Sequence, residues 1–252
     1  MLTLRSCRAA VAGLVFALVS STAIGADERV AQVVITANRS PRALADVVAD
    51  VTVIDADALA RSAATSLPEL LQRQAGVELA GNGGPGQPAA LFLRGTNANH
   101  VVVLVDGVRI NSATTGTNAL EHLPLAQIER IELLRGPASS LYGADAVGGV
   151  IQIFTRSGRG LQARLSVGSD SLRDGAVGLG GQFGSTSWSV HGGTQSVRAF
   201  SATNDANPFS FNDDRDPYRN RHAGVKLRHT LADGHSLGLQ ALASDAVTHF
   251  DA

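Results

Sequence analysis

The chain has 252 residues and a formal net charge of −1, with 21 lysines and arginines against 22 aspartates and glutamates. The hydrophobic fraction of 44% excludes a disordered tail, the single cysteine excludes a disulfide scaffold, and the balanced charge argues against a nucleic-acid partner. Glycine stands out, because it makes up roughly a tenth of the chain against a usual ~7%.

The first 26 residues predict a secretory signal peptide. Arg5 and Arg8 precede an uninterrupted apolar run over residues 11–19, and small residues follow over 20–26. The apolar run is too short to cross a bilayer as a helix. Because the only cysteine, Cys7, lies in this segment, the exported chain has no disulfide, and burial or strand pairing must hold it together.

Residues 27–39 form a short leader that contains a β-branched run. From the residues alone, two interpretations of the run stay open. It is either a frayed first strand or a docking peptide that adds a strand to the open sheet edge of a partner. The run consists of Ala31, Gln32, Val33, Val34, Ile35, Thr36 and Ala37.

Residues 40–158 predict a compact domain that mixes helices and strands. Ser66 and Glu69 form a capping box with a proline in the first turn, which predicts a helix ending at Gly76. Asp106 and Gly107 predict a tight hairpin turn. A short helical turn is expected at 123–127, and strands are expected at 51–55, 77–79, 91–94, 101–105, 108–110, 128–134 and 150–155.

From residue 159 to 252 the pattern changes to alternating apolar and polar residues, which predicts five two-faced antiparallel strands. Tight turns at 184–185 and 233–234 fall at one end of the strands, and longer loops at 169–174 and 194–220 fall at the other, upper end. Short turns opposite long loops are typical of an outer-membrane barrel. A soluble antiparallel sandwich is the alternative, and the signal peptide favours the barrel.

The sequence offers no catalytic constellation, so we predict that the protein is not an enzyme. The seven histidines are scattered, and His222 and His229 are seven apart on one strand, so they point to opposite faces and cannot share a metal. A cluster of acidic residues at 212–216 is either a solvated loop tip or a source of oxygen ligands for Ca²⁺. Asp245 is predicted to lie at the same, upper end of the strands as that cluster.

Several multi-residue motifs closely resemble those of the TonB-dependent outer-membrane receptors, and in particular the cobalamin transporters of that family. The resemblance is nearly continuous from residue 33 to about 156 and looser beyond 161. The motifs are QVVITANR at 32–39, LLQRQAG at 70–76, NGG at 82–84, LRGTNANH at 93–100, VLVDGVRIN at 103–111, IERIELLRG at 128–136 and SLYGADAVGGVIQI at 140–153.

The resemblance implies an α+β plug domain at 40–158 that fills a transmembrane barrel of about 22 strands. Residues 159–252 would be the first antiparallel strands of that barrel, and the β-branched run at 31–37 would be the TonB box, which pairs with the periplasmic TonB protein. Five strands leave two open edges, so the expectation is the N-terminal portion of an outer-membrane transporter that is embedded in lipid and opened by force on the TonB box.

The same resemblance implies sites for a cobalamin-like ligand and for calcium. Arg94 and Arg135 resemble plug arginines that pair with barrel glutamates. Ferric-siderophore uptake on the same scaffold is an alternative, and a secreted soluble binding protein is a second one. Family positions for ligand contact match Pro88, Ala90, Asn97, Thr115 and Gly116, and family calcium ligands match Asn212, Asp214, Asp216 and Asp245.

The glycine excess collects in two kinds of place. In the loops, at 81–86 and 148–149, glycine permits turns and close backbone approach. In the barrel strands, at Gly178, Gly180, Gly181, Gly192 and Gly193, it is expected to leave room where the wall faces the plug.

Overall fold

The computed structural model describes residues 33–34, 42–43, 49–81, 84–201, 203, 214–232 and 235–249. The predicted signal peptide and most of the leader lie outside the described residues. Of the predicted TonB box, only Val33 and Val34 are described, and they pair antiparallel with Arg42 and Ala43. No helix in the described ranges is long and apolar enough to cross a membrane.

An α+β domain comes first in the described chain, and its strands are short. Its helices are α1 (Ala56–Arg61), α2 (Leu67–Gln72) and α3 (Ser139–Tyr142). Its strands are β1 (Val33–Val34), β2 (Arg42–Ala43), β3 (Asp50–Ile54), β4 (Val77–Gly81), β5 (Ala89–Leu93), β6 (Val101–Val105), β7 (Val108–Arg109), β8 (Ile128–Arg135) and β9 (Gly149–Thr155).

Five of these strands form one sheet, in the order β3-β8-β9-β6-β7. The central pair β6 and β9 is parallel, and the other pairs are antiparallel. Every residue of β6 is buried, which explains its unbroken VVVLV sequence, since a strand covered on both faces has no polar side. Leu71, Leu133 and Ile151 pack on one face, and Val102, Leu134 and Val150 pack on the other.

The two N-terminal helices differ from the sequence prediction in extent. Helix α1 was not predicted; Asp55 caps it by accepting a hydrogen bond of 2.8 Å from the backbone N–H of Ala58. Helix α2 begins as predicted, with Ser66 accepting from the N–H of Glu69 at 3.3 Å. It ends at Gln72 rather than at Gly76, because the chain tightens after Leu71 into a turn that Gly76 closes with a φ of +73°.

Burial and hydrogen bonding set the charge of the capping carboxylate. Burial acts to raise the pKa of Glu69, but hydrogen bonds from the backbone and side chain of Thr65 and from Arg73 outweigh it and lower that pKa overall. The carboxylate accepts a hydrogen bond from the backbone N–H of Thr65, at 2.7 Å, one residue before the capping Ser66. This contact fixes the chain that enters α2.

A long sheet follows the α+β domain, and it confirms the five predicted strands. Its strands pair antiparallel in chain order, so they form one sheet rather than the two packed sheets of a sandwich. They are β10 (Gly160–Val167), β11 (Arg173–Phe183), β12 (Thr186–Val197), β13 (Tyr218–Ala232) and β14 (His235–Thr248).

The two faces of the long sheet differ in chemistry, as the alternation predicted. One face is apolar and open: Leu165 is 89% exposed and Phe183 is 86% exposed. The other face is polar and lies against the α+β domain, with Ser189, Asn220 and His222 buried there. The tight turn at 184–185 is confirmed, the second one at 233–234 lies outside the described residues, and the long loop starts after Val197.

Glycine lets the two parts approach closely, and Gly180 is one such position. A Cβ atom at Gly180, on β11, would overlap the carbonyl oxygen of Gly158, which precedes the long sheet. Any side chain at Gly180 would push the sheet away from the α+β domain. The expectation that strand glycines leave room for the domain is met at this position.

Candidate functional site

The contact between the α+β domain and the long sheet is centred on Asp106, at the tip of the β6–β7 hairpin. Asp106 and Gly107 both have positive φ, +48° and +88°, as a tight hairpin turn with the twist of the sheet requires. The carboxylate is bonded to the backbone N–H of Thr155 at 3.1 Å and to the hydroxyl of the same residue. Lys226 of β13 reaches the same carboxylate at 2.8 Å.

This ion pair is well shielded from solvent. The side chain of Asp106 is 6% exposed and that of Lys226 is 18% exposed. Among the described residues it is the one ion pair that joins the long sheet to the domain. Lys226 is also the single lysine of the whole sequence, and alternation places it on the polar face.

The remaining contacts between the two parts are mostly neutral hydrogen bonds from side chains of the sheet to backbone carbonyls of the domain. Tyr218 donates to the carbonyl of Glu121 at 3.2 Å, and Asn220 and Ser244 both donate to the carbonyl of His122, at 3.2 and 3.0 Å. Further such bonds are those from Gln195 to Thr65, from Thr248 to Gly86 and from Ser189 to Arg156.

A carboxylate of the domain lies beside these bonds. Burial raises the pKa of Glu121, more than its own backbone N–H and the nearby His122 lower it. The side chain is 8% exposed, and its Oε2 atom has no hydrogen-bond partner in the described ranges. The interface is therefore built from polar groups that are partly unsatisfied rather than from apolar packing.

The two arginines predicted to pair with barrel glutamates converge on one aspartate of the domain. Arg94 contacts Asp50 at 2.5 Å, and Arg135 contacts the other oxygen of Asp50 at 3.2 Å. Arg135 also donates to the hydroxyl of Thr52 and the carbonyl of Ala75, both at 2.7 Å. No sequence pattern indicated Asp50 as their partner, and the pairing with barrel glutamates stays a prediction.

Three of the predicted ligand contacts lie on adjoining loops. Thr115 and Gly116 line a polar cavity of about 440 Å³ together with Asn99, Arg109 and Asp145. Asn97 begins the turn that carries Asn99, and a Cβ atom at Gly116 would come within 2.7 Å of that of Asn99. Pro88 and Ala90 lie apart from these loops: Pro88 precedes β5, and Ala90 belongs to β5, where it pairs with Ala80 of β4.

Three of the predicted calcium ligands are described: Asp214 and Asp216 lie just before β13, and Asp245 lies near the end of β14. Asn212 is outside the described residues, Asp216 is buried, and its backbone N–H donates to the carbonyl of Phe200 at 2.8 Å. Asp245 lies opposite Arg221 in the pairing register. Among the residues that the structure describes, no three histidine, cysteine or acidic side chains are grouped so that they could hold a metal ion.

Comparison with known proteins identifies the α+β domain. The family model of the TonB-dependent receptor plug domain matches residues 43–150. The chain carries a TonB-dependent receptor plug domain. The predicted family resemblance is therefore confirmed, and the long sheet that follows the plug is called the wall from here on.

The relatives of the chain include transporters for different cargoes. It is 44% identical over 145 residues to the vitamin B12 transporter BtuB of Vibrio vulnificus, which covers 56% of the chain and 24% of that protein. The ferric yersiniabactin uptake receptor FyuA of Yersinia pestis has a TM-score of 0.61 at 26% identity, over 79% of the chain and 32% of that structure.

A mutant of the ferric enterobactin receptor PfeA from Pseudomonas aeruginosa, in complex with enterobactin, is similar to the same degree. Its TM-score is 0.60 at 26% identity, over 77% of the chain and 32% of that structure. The chain thus spans about a quarter of the curated relative and about a third of each solved structure.

The sequence did not predict that Asp106 of the plug contacts the wall. Asp106 was recognised only as a turn residue, because its partners Thr155 and Lys226 are 49 and 120 residues away. One signal was available: a lone lysine on the polar face of a strand needs a partner, and the wall strands offer few acidic residues on that face.

We predict that Lys226→Met destabilises the docking of the plug by about 3–5 kcal/mol, because it leaves the buried Asp106 carboxylate without a counter-charge. The measurement is the melting temperature of the complete protein in detergent. Arg228→Met is the matched control, since Arg228 lies on the same strand and makes no ion pair within the described part of the chain. Equal melting temperatures for the two variants would show that the pair contributes nothing.

Proposed function

We propose that this chain belongs to an energised outer-membrane receptor that takes up cobalamin or a similar corrinoid. The observation that carries the proposal is the 44% identity over 145 residues to a protein named as a vitamin B12 transporter, beside the match of residues 43–150 to the plug-domain family. The plug would close the lumen of the barrel, and the wall would be its first strands. In this role the protein transports a ligand and catalyses no reaction.

The two faces of the wall support the outer-membrane location. Large apolar side chains are exposed along one face, as lipid contact requires, and the polar face is turned to the plug. This pattern extends over all five strands. The apolar residues include Leu161, Leu165, Val177, Leu179, Phe183, Val225, Leu237 and Leu239.

The polar interface supports a plug that moves. Each neutral hydrogen bond is worth only about 0.5–1.5 kcal/mol net, because water replaces it when the surfaces part. The plug core is apolar and has its own sheet, so it can stay folded while part of it is displaced. We infer that TonB, acting on the TonB box at 31–37, supplies the force.

A proline substitution in the TonB box tests the coupling to TonB. Ile35→Pro removes a backbone donor that strand addition to TonB would use, so we expect it to abolish uptake of labelled cobalamin by cells and to leave binding unchanged. Ile35→Ala keeps the donor and serves as the control, with uptake largely retained. Equal loss of binding and uptake would contradict the coupling role.

Two solved relatives favour a second candidate function, uptake of a ferric siderophore, because they are named as receptors for ferric yersiniabactin and ferric enterobactin. The melting temperature of the complete protein discriminates between the two. A ligand at a hundred times its Kd adds about 2.7 kcal/mol of stability. We expect cobalamin to raise the melting temperature and a ferric siderophore to leave it unchanged.

Variants at the predicted ligand contacts extend this melting-temperature experiment to the binding site. Asn97→Ala should reduce the shift that cobalamin produces, because it removes an amide from the loop beside the Thr115–Gly116 cavity. Thr230→Ala is the control, because Thr230 lies near the end of β13 that is farther from the predicted ligand contacts. It should keep the full shift in melting temperature. A shift with the siderophore alone would favour the second candidate.

We propose further that the upper loops bind Ca²⁺ through Asn212, Asp214, Asp216 and Asp245. Carboxylate and amide oxygens are the ligands that this hard cation prefers. Calorimetric titration of the complete protein with Ca²⁺ should show binding that the double variant Asp214→Asn/Asp216→Asn loses. Asp57→Asn, an exposed change on α1, should bind as the unaltered protein does; coincident curves for all three would reject the site.

A further inference from the structure

A second cavity lies between the plug and the wall, apart from the one lined by Thr115 and Gly116. Its volume is about 130 Å³, whereas a single water needs only roughly 10–15 Å³. The plug contributes Gln127 and Arg156 to its lining, and the wall contributes Arg164, His191 and His222. None of these residues was among the predicted sites.

The two histidines of the wall are held in place by glycines on the neighbouring strand. In the pairing of β12 with β13, His191 is opposite Gly224 and His222 is opposite Gly193. A Cβ atom at Gly224 would overlap the ring of His191, and one at Gly193 would lie 2.7 Å from Nε2 of His222. Each imidazole therefore occupies the space that the missing side chain leaves.

These rings are buried without hydrogen-bond partners. His191 is 9% exposed and His222 is 5% exposed. All four ring nitrogens are shielded from solvent, and none has a partner in the part of the chain that the structure describes. A buried polar group is stabilised by a hydrogen bond, so these nitrogens are available to a bound group that can donate to them or accept from them.

The plug side offers unused donors. Gln127 is 2% exposed, and its Nε2 atom also has no partner among the described residues. Arg156 uses Nε to donate to the carbonyl of Ala126 at 2.7 Å and Nη1 to donate to Oε1 of Gln162 at 3.3 Å. Those two bonds fix the guanidinium group and leave its Nη2 atom available to donate to a bound group.

The charge around the cavity is positive. Burial lowers the pKa of Arg156, the nearby Arg164 guanidinium lowers it further, and Glu129 acts in the opposite direction. Two guanidinium groups and no carboxylate line the cavity; Asp174, which pairs with Arg164 at 3.6 Å, lies outside the lining, so a metal cation would meet the positive charge of Arg156 despite the two imidazoles. An anion would relieve the repulsion between the arginines and accept from the unused donors.

We propose that this cavity binds a small oxyanion of the phosphate class. Gln127 Nε2, Arg156 Nη2 and one N–H each of His191 and His222 would donate to its oxygens. Since two of these groups belong to the plug and two to the wall, the bound anion would bridge the parts and stabilise the docked plug.

Inorganic phosphate tests the site directly, with the complete protein purified in detergent. We expect saturable binding of one phosphate per chain in calorimetry, with broadening of the phosphate signal in ³¹P NMR. Gln127→Leu and His222→Phe each remove donors but keep apolar volume, and each should weaken binding by about tenfold or more. His229→Phe, an exposed histidine on the same strand, should bind phosphate as the unaltered protein does.

Three results would overturn the proposal. Absence of saturable phosphate binding while the protein still melts cooperatively would show that the cavity holds only water. Binding that survives both donor variants would place the anion elsewhere. Binding of Zn²⁺ in place of phosphate, lost in His222→Phe, would make the histidines a metal site. The phosphate-binding experiments use no transported ligand. Their result would therefore be interpreted in the same way even if the proposed uptake function were wrong.

Discussion

The carboxylate of Asp106 is the point on which the arrangement of plug and wall depends. It lies at the tip of a hairpin, is bonded to Thr155 at the end of β9, and pairs with Lys226 of the wall. Its own backbone N–H donates to the carbonyl of Ile153 at 2.8 Å, so the turn is also tied to β9 by its main chain. A buried carboxylate is costly without such partners, and its position therefore fixes which wall residues face the plug.

The rest of the molecule divides into apolar packing inside the plug and polar contact outside it. Leu71, Leu133 and Ile151 are completely buried, and they stabilise the plug without help from the wall. Among the described residues, the plug–wall contact instead uses hydrogen bonds to backbone carbonyls, one ion pair and several polar groups without a hydrogen-bond partner. Water can replace the hydrogen bonds of such a contact, which is compatible with the movement proposed for the plug.

Local patterns in the sequence predicted most of the elements. Alternation gave the five wall strands, the Asp106–Gly107 pair gave the hairpin, and Ser66 with Glu69 gave the start of α2. Helix α1 escaped because Asp55 was read as the end of a strand rather than as a cap. The parallel pairing of β6 with β9 was not predicted either, since no turn or spacing joins strands so far apart in the chain.

The sequence by itself determined the class of each segment, because periodicity and turn chemistry act over a few residues. It also determined the family, because several motifs occur together in one order. Only the tertiary structure decided which polar groups meet: Asp50 with Arg94 and Arg135, Lys226 with Asp106, and the two buried histidines with Gln127 and Arg156 around one cavity. These groups are distant in the chain: the folding of the plug brings Asp50 to the two arginines, and the stacking of the plug on the wall brings Lys226 to Asp106 and places the histidines around one cavity with Gln127 and Arg156.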